Sequence, residues 1–254
     1  MKDQLDREVE VKTIPKRIVS LVPSQTELLC YLGLEDSLVG ITKFCVHPEN
    51  LRKEKKIVGG TKSVHFDRIC ALKPDIILCN KEENTPEMVL ELEKIAPVHV
   101  SNIINLEEVY GLIHQYGEIF NKLSNSNELI DSIKSKRNDL QYDRPLKKVA
   151  YLIWKDPWMA AGGDTFINTL LEINGWDNVF KNFTSRYPKI AIEEINKLQT
   201  DLILLSSEPY PFQHKHITEL NNSTNAEILL VNGEYFSWYG SRLLQAFDYF
   251  KTIE

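Results

Sequence analysis

The sequence predicts an α/β protein of two similar lobes with mainly parallel sheets, joined by a long connecting helix, with a ligand cleft between the lobes. Three observations predict this. First, one pattern occurs twice without a gap. Residues 66–82 read FDRICALKPDIILCNKE and residues 192–208 read IEEINKLQTDLILLSSE. Ile69/Ile195, Leu72/Leu198, Asp75/Asp201, Ile77/Ile203, Leu78/Leu204 and Glu82/Glu208 coincide at an offset of 126. Each copy reads as a short amphipathic helix, a turn at the Asp, a buried strand and an exit ending in Glu. Second, strands alternate with helical segments through both halves, the signature of parallel sheets. Third, the stretch between the halves is helical in character, and residues 112–142 contain no proline.

The elements follow in order. Residues 17–22 (RIVSLV) make a first strand, and a helix opens at Pro23 and runs through Leu32. Ser24 is its expected N-cap, with Glu27 completing a capping box three residues later. Gly33 ends the helix. Residues 37–41 give a short strand and 42–48 a loop. After the Gly59-Gly60 turn, the first repeat places a helix at 67–72, a break at Pro74-Asp75 and a strand at 76–79. Thr85 then caps a helix that has Pro86 at its first position and Glu87 near its positive end, and that runs to about Ile95. Residues 98–100 form the next strand. Residues 105–124 and 127–140 supply one or two connecting helices rather than a flexible linker.

The second lobe opens with a strand at 148–154 and a loop at Asp156-Pro157-Trp158. Gly162-Gly163-Asp164 leads into a helix over 165–173 closed by Asn174-Gly175. The second repeat follows, then a helix at 214–220, a strand at 227–231 and a last helix at 241–253. The expected boundaries are 15–119 for the first lobe, 120–145 for the connection and 146–254 for the second lobe.

Composition narrows the function. Thirty basic and 36 acidic residues give a net charge of −6, so no general attraction to nucleic acid or anionic membrane is expected. No run approaches the roughly 20 apolar residues that span a bilayer. The opening MKDQLDREVEV has no apolar segment and does not read as a signal peptide. The expectation is therefore either a cytoplasmic protein or an exported one whose leader has been removed. Four cysteines make no disulfide framework. Cys30, Cys70 and Cys79 read as buried thiols, whereas Cys45 sits in a loop beside His47.

In parallel sheets, ligands gather beyond the carboxyl ends of the strands. The loops expected there carry Ser24, Phe44, His47, Thr61 and Lys62 in the first lobe. In the second lobe they carry Trp158, Tyr187, Tyr235, Phe236 and Trp238, with Tyr210, Phe212 and Tyr239 nearby. This aromatic set lacks the periodicity of a core and suits a large, flat or largely apolar ligand with polar edges. Cys45 and His47 alone do not make a metal site, and no dedicated metal site is expected. Gly59-Gly60-Thr61-Lys62-Ser63 lacks the spacing of a phosphate loop. No activated nucleophile stands beside an oriented base, so no catalytic residue and no enzyme activity are expected. His214 and His216 are expected to face solvent. Glu87 and Glu208 can each offer a carboxylate to a partner's arginine.

The segments RIVSLVPSQTELLCYLGLEDSLVGIT, IVGG…FDRICALKPDIILCN and WKDPWMAAGGDTFINTLLEINGWDNVF resemble the cobalamin-binding branch of the helical-backbone substrate-binding proteins. These are the receptor components of ABC importers for vitamin B12, iron-siderophores, haem and some free metals. The similarity runs from about Pro15 to Phe250. It implies two α/β lobes joined by one long helix, a ligand held between them, and delivery to a membrane permease. The transported ligand would be cobalamin or a related corrinoid, with a ferric siderophore, haem or metal chelate as the alternative and no intrinsic cofactor. An intracellular ligand-handling protein or enzyme of the same fold is a further alternative. By position, His47 takes the place of a first-lobe aromatic, Thr61 and Lys62 occupy a stretch that can supply a Trp, and Trp158 and Tyr235 fall in the corresponding second-lobe loops. The resemblance also implies docking on the permease through one Glu per lobe: Glu87, and Glu208 with Glu219 as the other candidate. It implies a periplasmic or otherwise extracytoplasmic monomer.

Overall fold

The structure is a computed structural model that describes residues 1–140 and 145–253. The end of the predicted connection, residues 141–144, lies outside the described residues. The chain divides into two compact units. The first holds Met1–Ile103, Glu107–Ser135 and Trp238–Leu244, and the second holds Ile104–Leu106, Lys136–Ser237 and Gln245–Glu254.

In the first unit the elements run β1 (Ile18–Ser20), α1 (Pro23–Tyr31), β2 (Leu38–Ile41), α2 (Leu51–Glu54), β3 (Lys56–Ile57), α3 (Phe66–Ala71), β4 (Ile76–Asn80), α4 (Pro86–Glu93), β5 (Val98–Ser101), α5 (Leu106–Ile119) and α6 (Leu123–Asn138). The sheet has the order β3-β2-β1-β4-β5, and every pairing is parallel. In the second unit they run β6 (Lys147–Trp154), β7 (Met159–Ala160), α7 (Phe166–Ile173), β8 (Trp176–Asn178), α8 (Ile192–Lys197), β9 (Leu202–Ser206), α9 (His214–Asn221), β10 (Glu227–Val231), α10 (Glu234–Ser237) and α11 (Leu243–Phe250). This sheet has the order β10-β9-β6, with β8 parallel and β7 antiparallel along the other edge of β6.

The repeat explains why the sheets match. The αL residues Lys73 (φ 46°) and Gln199 (φ 55°) end α3 and α8 and turn the chain back toward the sheet. Two residues later, Asp75 Oδ2 accepts the N–H groups of Lys16 and Arg17, and Asp201 Oδ2 accepts that of Lys148. Each carboxylate thereby sets the register of the next strand: Ile18 pairs with Ile76, and Val149 with Leu202. The strands β4 and β9 then run fully buried, IILCN and LILLS. Val19, Leu21, Ile77, Cys79, Val98 and Val100 pack under Ile69, Val89 and Leu92 in the first unit. Ala150, Leu152, Ile203 and Leu205 pack with Ile195, Phe180 and Leu220 in the second.

The predicted helical connection is two helices, split where Asn121 takes φ 54°. A Cβ on Gly117 would lie 2.6 Å from Ser126 Oγ, so only glycine lets α6 fold back this closely on α5. Thr85 caps α4 as expected, accepting the Met88 N–H at 3.2 Å.

Some expectations are corrected. The Ser24–Glu27 capping box does not form, because Pro23 already occupies the first helical position and Val22 is the cap residue. Ser24 is buried inside the first turn, and Glu27 is drawn instead to Arg242. Cys70 is exposed, since Ile69 is the residue of α3 that turns into the core. His216 is buried at 3% exposure rather than solvated, because its Nδ1 accepts the Gln213 N–H at the start of α9. The short elements α2, β3, β7, β8 and α10 have no counterpart among the expected elements; at two to four residues they carry no measurable period. The last helix begins as a 3-10 turn at Gly240–Arg242 before α11.

Candidate functional site

Because the main strands of each sheet are parallel, their carboxyl ends share one edge. Chain order reverses between β1 and β4 in the first unit and between β6 and β9 in the second, and a crevice opens at such a point.

In the first unit this point is filled by a buried polar network. Gln25 is fully buried on α1. Its Nε2 lies 2.6 Å from Ser101 Oγ, 2.9 Å from the Tyr239 hydroxyl and 3.2 Å from the Cys79 carbonyl. Its Oε1 accepts the Tyr116 hydroxyl proton at 2.7 Å. Asn80 Nδ2 donates to Ser101 Oγ at 2.9 Å, while Asn80 N–H donates to Asn84, whose own amide reaches the Thr61 carbonyl. Burial raises the Tyr239 hydroxyl to about 12, against lowering by the hydrogen bonds from Ser101, Gln25 and Ser24. Ser24, a predicted site residue, is therefore a buried neighbour of this network at 4% exposure.

Beside the network, the His47 ring meets the Trp238 ring edge-on at 5.5 Å, and the Arg242 guanidinium lies 5.3 Å from the Trp238 centroid. Arg242 and Glu27 form a nearly buried ion pair at 2.8 Å, with side-chain exposures of 6% and 16%. Trp238 and Tyr239, expected with the second lobe, thus pack on the first unit. Cys45 turns away from solvent, its Sγ held 3.1 Å from Thr26 Oγ1 and 3.3 Å from Thr42 Oγ1, and burial pushes its thiol pKa up. Among the described residues no group of three His, Cys, Asp or Glu side chains could hold a metal ion. Phe44, Thr61 and Lys62 line a cavity of about 560 Å³ with Lys43, His65 and Arg68. Glu87 is exposed in the first turn of α4, one turn from the exposed Leu90.

The crevice point of the second unit is aromatic. Trp158 is half-buried and stacks on Phe212, the rings 3° from parallel and 5.9 Å apart. Phe212 meets Tyr210 at 4.7 Å, and Tyr210 meets the exposed Trp154 at 5.6 Å. Lys155 lies 5.4 Å over Trp158 and is ion-paired with Glu219 of α9. Tyr187 is half-buried in the loop after β8, and Tyr235 packs on Tyr249 at 4.8 Å. Phe236 is fully buried against Tyr151, Trp176 and Phe250, so it is a core ring with no face open to a ligand. Glu208 is half-buried, and its Oε1 accepts the Ser237 hydroxyl proton at 2.9 Å.

Sequence reading missed Tyr116, Ser101, Arg242 and Trp154. The polar triplet Ser24-Gln25-Thr26 at the mouth of an otherwise apolar helix was the one local signal of the buried network. Nothing in the order of residues connects it to Tyr239.

The sequence profile of the periplasmic binding protein family matches residues 18–235. The uncharacterized ABC transporter substrate-binding lipoprotein YvrC of Bacillus subtilis (strain 168) is 30% identical over 213 residues, 80% of this chain and 67% of that protein. The vitamin B12-binding protein of Vibrio vulnificus (strain YJ016) is 23% identical over 253 residues, 94% of this chain and 91% of that protein. Among solved structures, the petrobactin-binding protein YclQ of Bacillus subtilis superposes with a TM-score of 0.83 at 19% identity, covering 99% of this chain and 95% of that one. At that identity the likeness shows the fold. With the match to the family profile and to YvrC, it establishes that this chain belongs to the periplasmic binding protein family, among the substrate-binding proteins of ABC transporters.

Proposed function

We propose that this chain is the extracytoplasmic receptor of an ABC importer, binding cobalamin or a related corrinoid and handing it to a membrane permease. The observation that carries the reading is the ring of Trp158, half-buried and braced in parallel by Phe212 at the crevice point of its sheet. A ring held in this way presents a flat, rigid apolar surface at low entropic cost, which suits a large macrocycle. His47, half-buried against the edge of the buried Trp238 ring, adds a polar-edged aromatic group in the first unit. The similarity to a protein named for vitamin B12 binding, over nearly the whole chain, supports the same ligand class. Tyr187 and Tyr235 are the further ligand-facing candidates, and the chain acts as a receptor, not as a catalyst.

Glu87 is the proposed first docking carboxylate. For the second, Glu219, which is ion-paired with Lys155, is proposed ahead of Glu208. It lies on α9, which joins β9 to β10 as α4 joins β4 to β5, whereas Glu208 is half-buried under Ser237.

A second reading, a ferric siderophore or haem as ligand, is favoured by the basic lining of the first-unit cavity. Calorimetric titration with cyanocobalamin, haem and ferric siderophores decides between the two. Saturable heat with cyanocobalamin and red colour co-eluting with the protein on gel filtration is the expected result. Neither signal with cyanocobalamin would overturn the corrinoid reading.

A further inference from the structure

The loops after β2 and β3 reverse the charge of the molecule locally. In a chain of net charge −6, the cavity of about 560 Å³ in the first unit is lined by Lys43, Lys62, His65 and Arg68, and among the described residues no carboxylate lines it. A cavity walled by one sign of charge focuses the field and concentrates ligands of the opposite sign.

Its shape is fixed as well as its charge. The Lys43 N–H donates to the Gly59 carbonyl at 2.8 Å, which ties the two loops, and the Gly60 N–H donates to the Ser63 carbonyl at 2.7 Å, which closes the second loop on itself. Gly59 takes φ +137°, which side chains other than hydrogen rarely allow. A Cβ on Gly60 would lie 3.2 Å from Phe44 Cε2, so the Phe44 ring approaches this loop closely. That ring is 48% exposed and has the Lys43 ammonium 5.0 Å from its centroid. Lys62 donates to the main-chain carbonyl of Glu82, and the neighbouring Glu83 is half-buried with its carboxylate bonded to Thr61. Burial raises the pKa of the Glu83 carboxyl.

We propose that this cavity is an oxyanion subsite: Lys43 and Arg68 hold a carboxylate or phosphate group of the ligand while Phe44 covers an apolar face beside it. Arg68 supplies planar paired donors and Lys43 a point charge, the two common ways of holding such a group. This rests on the receptor reading and adds to it that the transported ligand is anionic at this edge.

The test pairs ligands with and without the anion: haem against haem dimethyl ester, which lacks free carboxylates, and cyanocobalamin against dicyanocobinamide, which lacks the phosphodiester together with the rest of the nucleotide loop. Affinities are measured by calorimetry for the wild-type chain and for Lys43→Ala/Arg68→Ala. For the pair that binds, the anionic member is expected to bind at least tenfold more tightly to the wild type. The gap is expected to close in the double variant. If the double variant does not fold, Lys43→Gln and the salt dependence of the wild type replace it, since an ion-paired ligand loses affinity as salt rises. Equal binding of both members of a pair, or a gap that survives the substitutions, overturns the subsite and leaves the receptor reading intact. Binding of none of the four ligands overturns both.

Discussion

The carboxylates of Asp75 and Asp201 do the same work in two different sheets: one accepts the Arg17 N–H at 2.9 Å, the other the Lys148 N–H at 2.7 Å. Both residues are exposed, so each bond competes with water and contributes about 1 kcal/mol. Asp75→Ala and Asp201→Ala are each expected to lower unfolding stability by about that amount. Urea titration followed by circular dichroism measures it; no shift in either midpoint would mean that strand pairing alone sets the register.

The Gln25 network should be far less tolerant. Gln25→Ala leaves the buried hydroxyls of Tyr116 and Tyr239 without their shared partner, at a cost of about 2–4 kcal/mol. Tyr239→Phe removes one hydroxyl and lets Ser101 and Gln25 keep each other, so about 1 kcal/mol is expected. Equal losses from the two substitutions in denaturant titration would contradict this ordering.

Arg242 and Glu27 form a pair that is expensive to break on one side. Arg242→Ala removes the guanidinium that pairs with the nearly buried Glu27 carboxylate and should cost about 3 kcal/mol. The double substitution Glu27→Gln/Arg242→Met should recover much of that loss, because it leaves no unpaired charge. Arg242→Ala also uncovers one face of Trp238, so a change in tryptophan emission is expected alongside the stability loss.

Acid sensitivity should trace to Asp3. Burial opposes ionisation of its carboxyl, but the hydrogen bonds from Arg7 and from the Leu5 and Val100 N–H groups outweigh burial and hold its pKa below the ordinary value. A lowered folded-state pKa gives stability that is fully present above the unfolded value of about 3.9 and is lost as pH falls through the folded value. Asp3→Asn should therefore be less stable than the wild type at neutral pH and flatten the stability profile below about pH 4. Parallel acid limbs in the two proteins would assign the sensitivity elsewhere.

Trp158→Ala should weaken ligand binding by about tenfold, since a braced aromatic wall is worth about 1.4 kcal/mol or more at a binding centre. Trp158→Phe should keep most of the affinity. Titration of both variants with cyanocobalamin checks this, with thermal melts confirming that the fold is retained.

Much of the fold was legible because its signals are local. The Pro74-Asp75 turn, the Thr85 cap and the runs IILCN and LILLS each carry a conformational preference within a few residues, and each element lies where those preferences put it. Elements of two to four residues escaped because they carry no period; β7 and β8 are strands by virtue of their pairing with β6. The candidate site was less legible. Phe236 and Trp158 are both aromatic residues near strand ends, yet one is sealed among Tyr151, Trp176 and Phe250 and the other rests half-open on Phe212. His216 looked like a surface histidine until its ring was needed to receive the Gln213 N–H.

By itself, the sequence determined the alternation of strands and helices, the duplication and the two Asp turns, because burial periodicity and turn chemistry act between neighbours along the chain. Only the tertiary structure decided which polar and aromatic residues meet. Gln25 and Tyr239, or Glu27 and Arg242, are more than 200 residues apart and come together through packing that no local preference encodes.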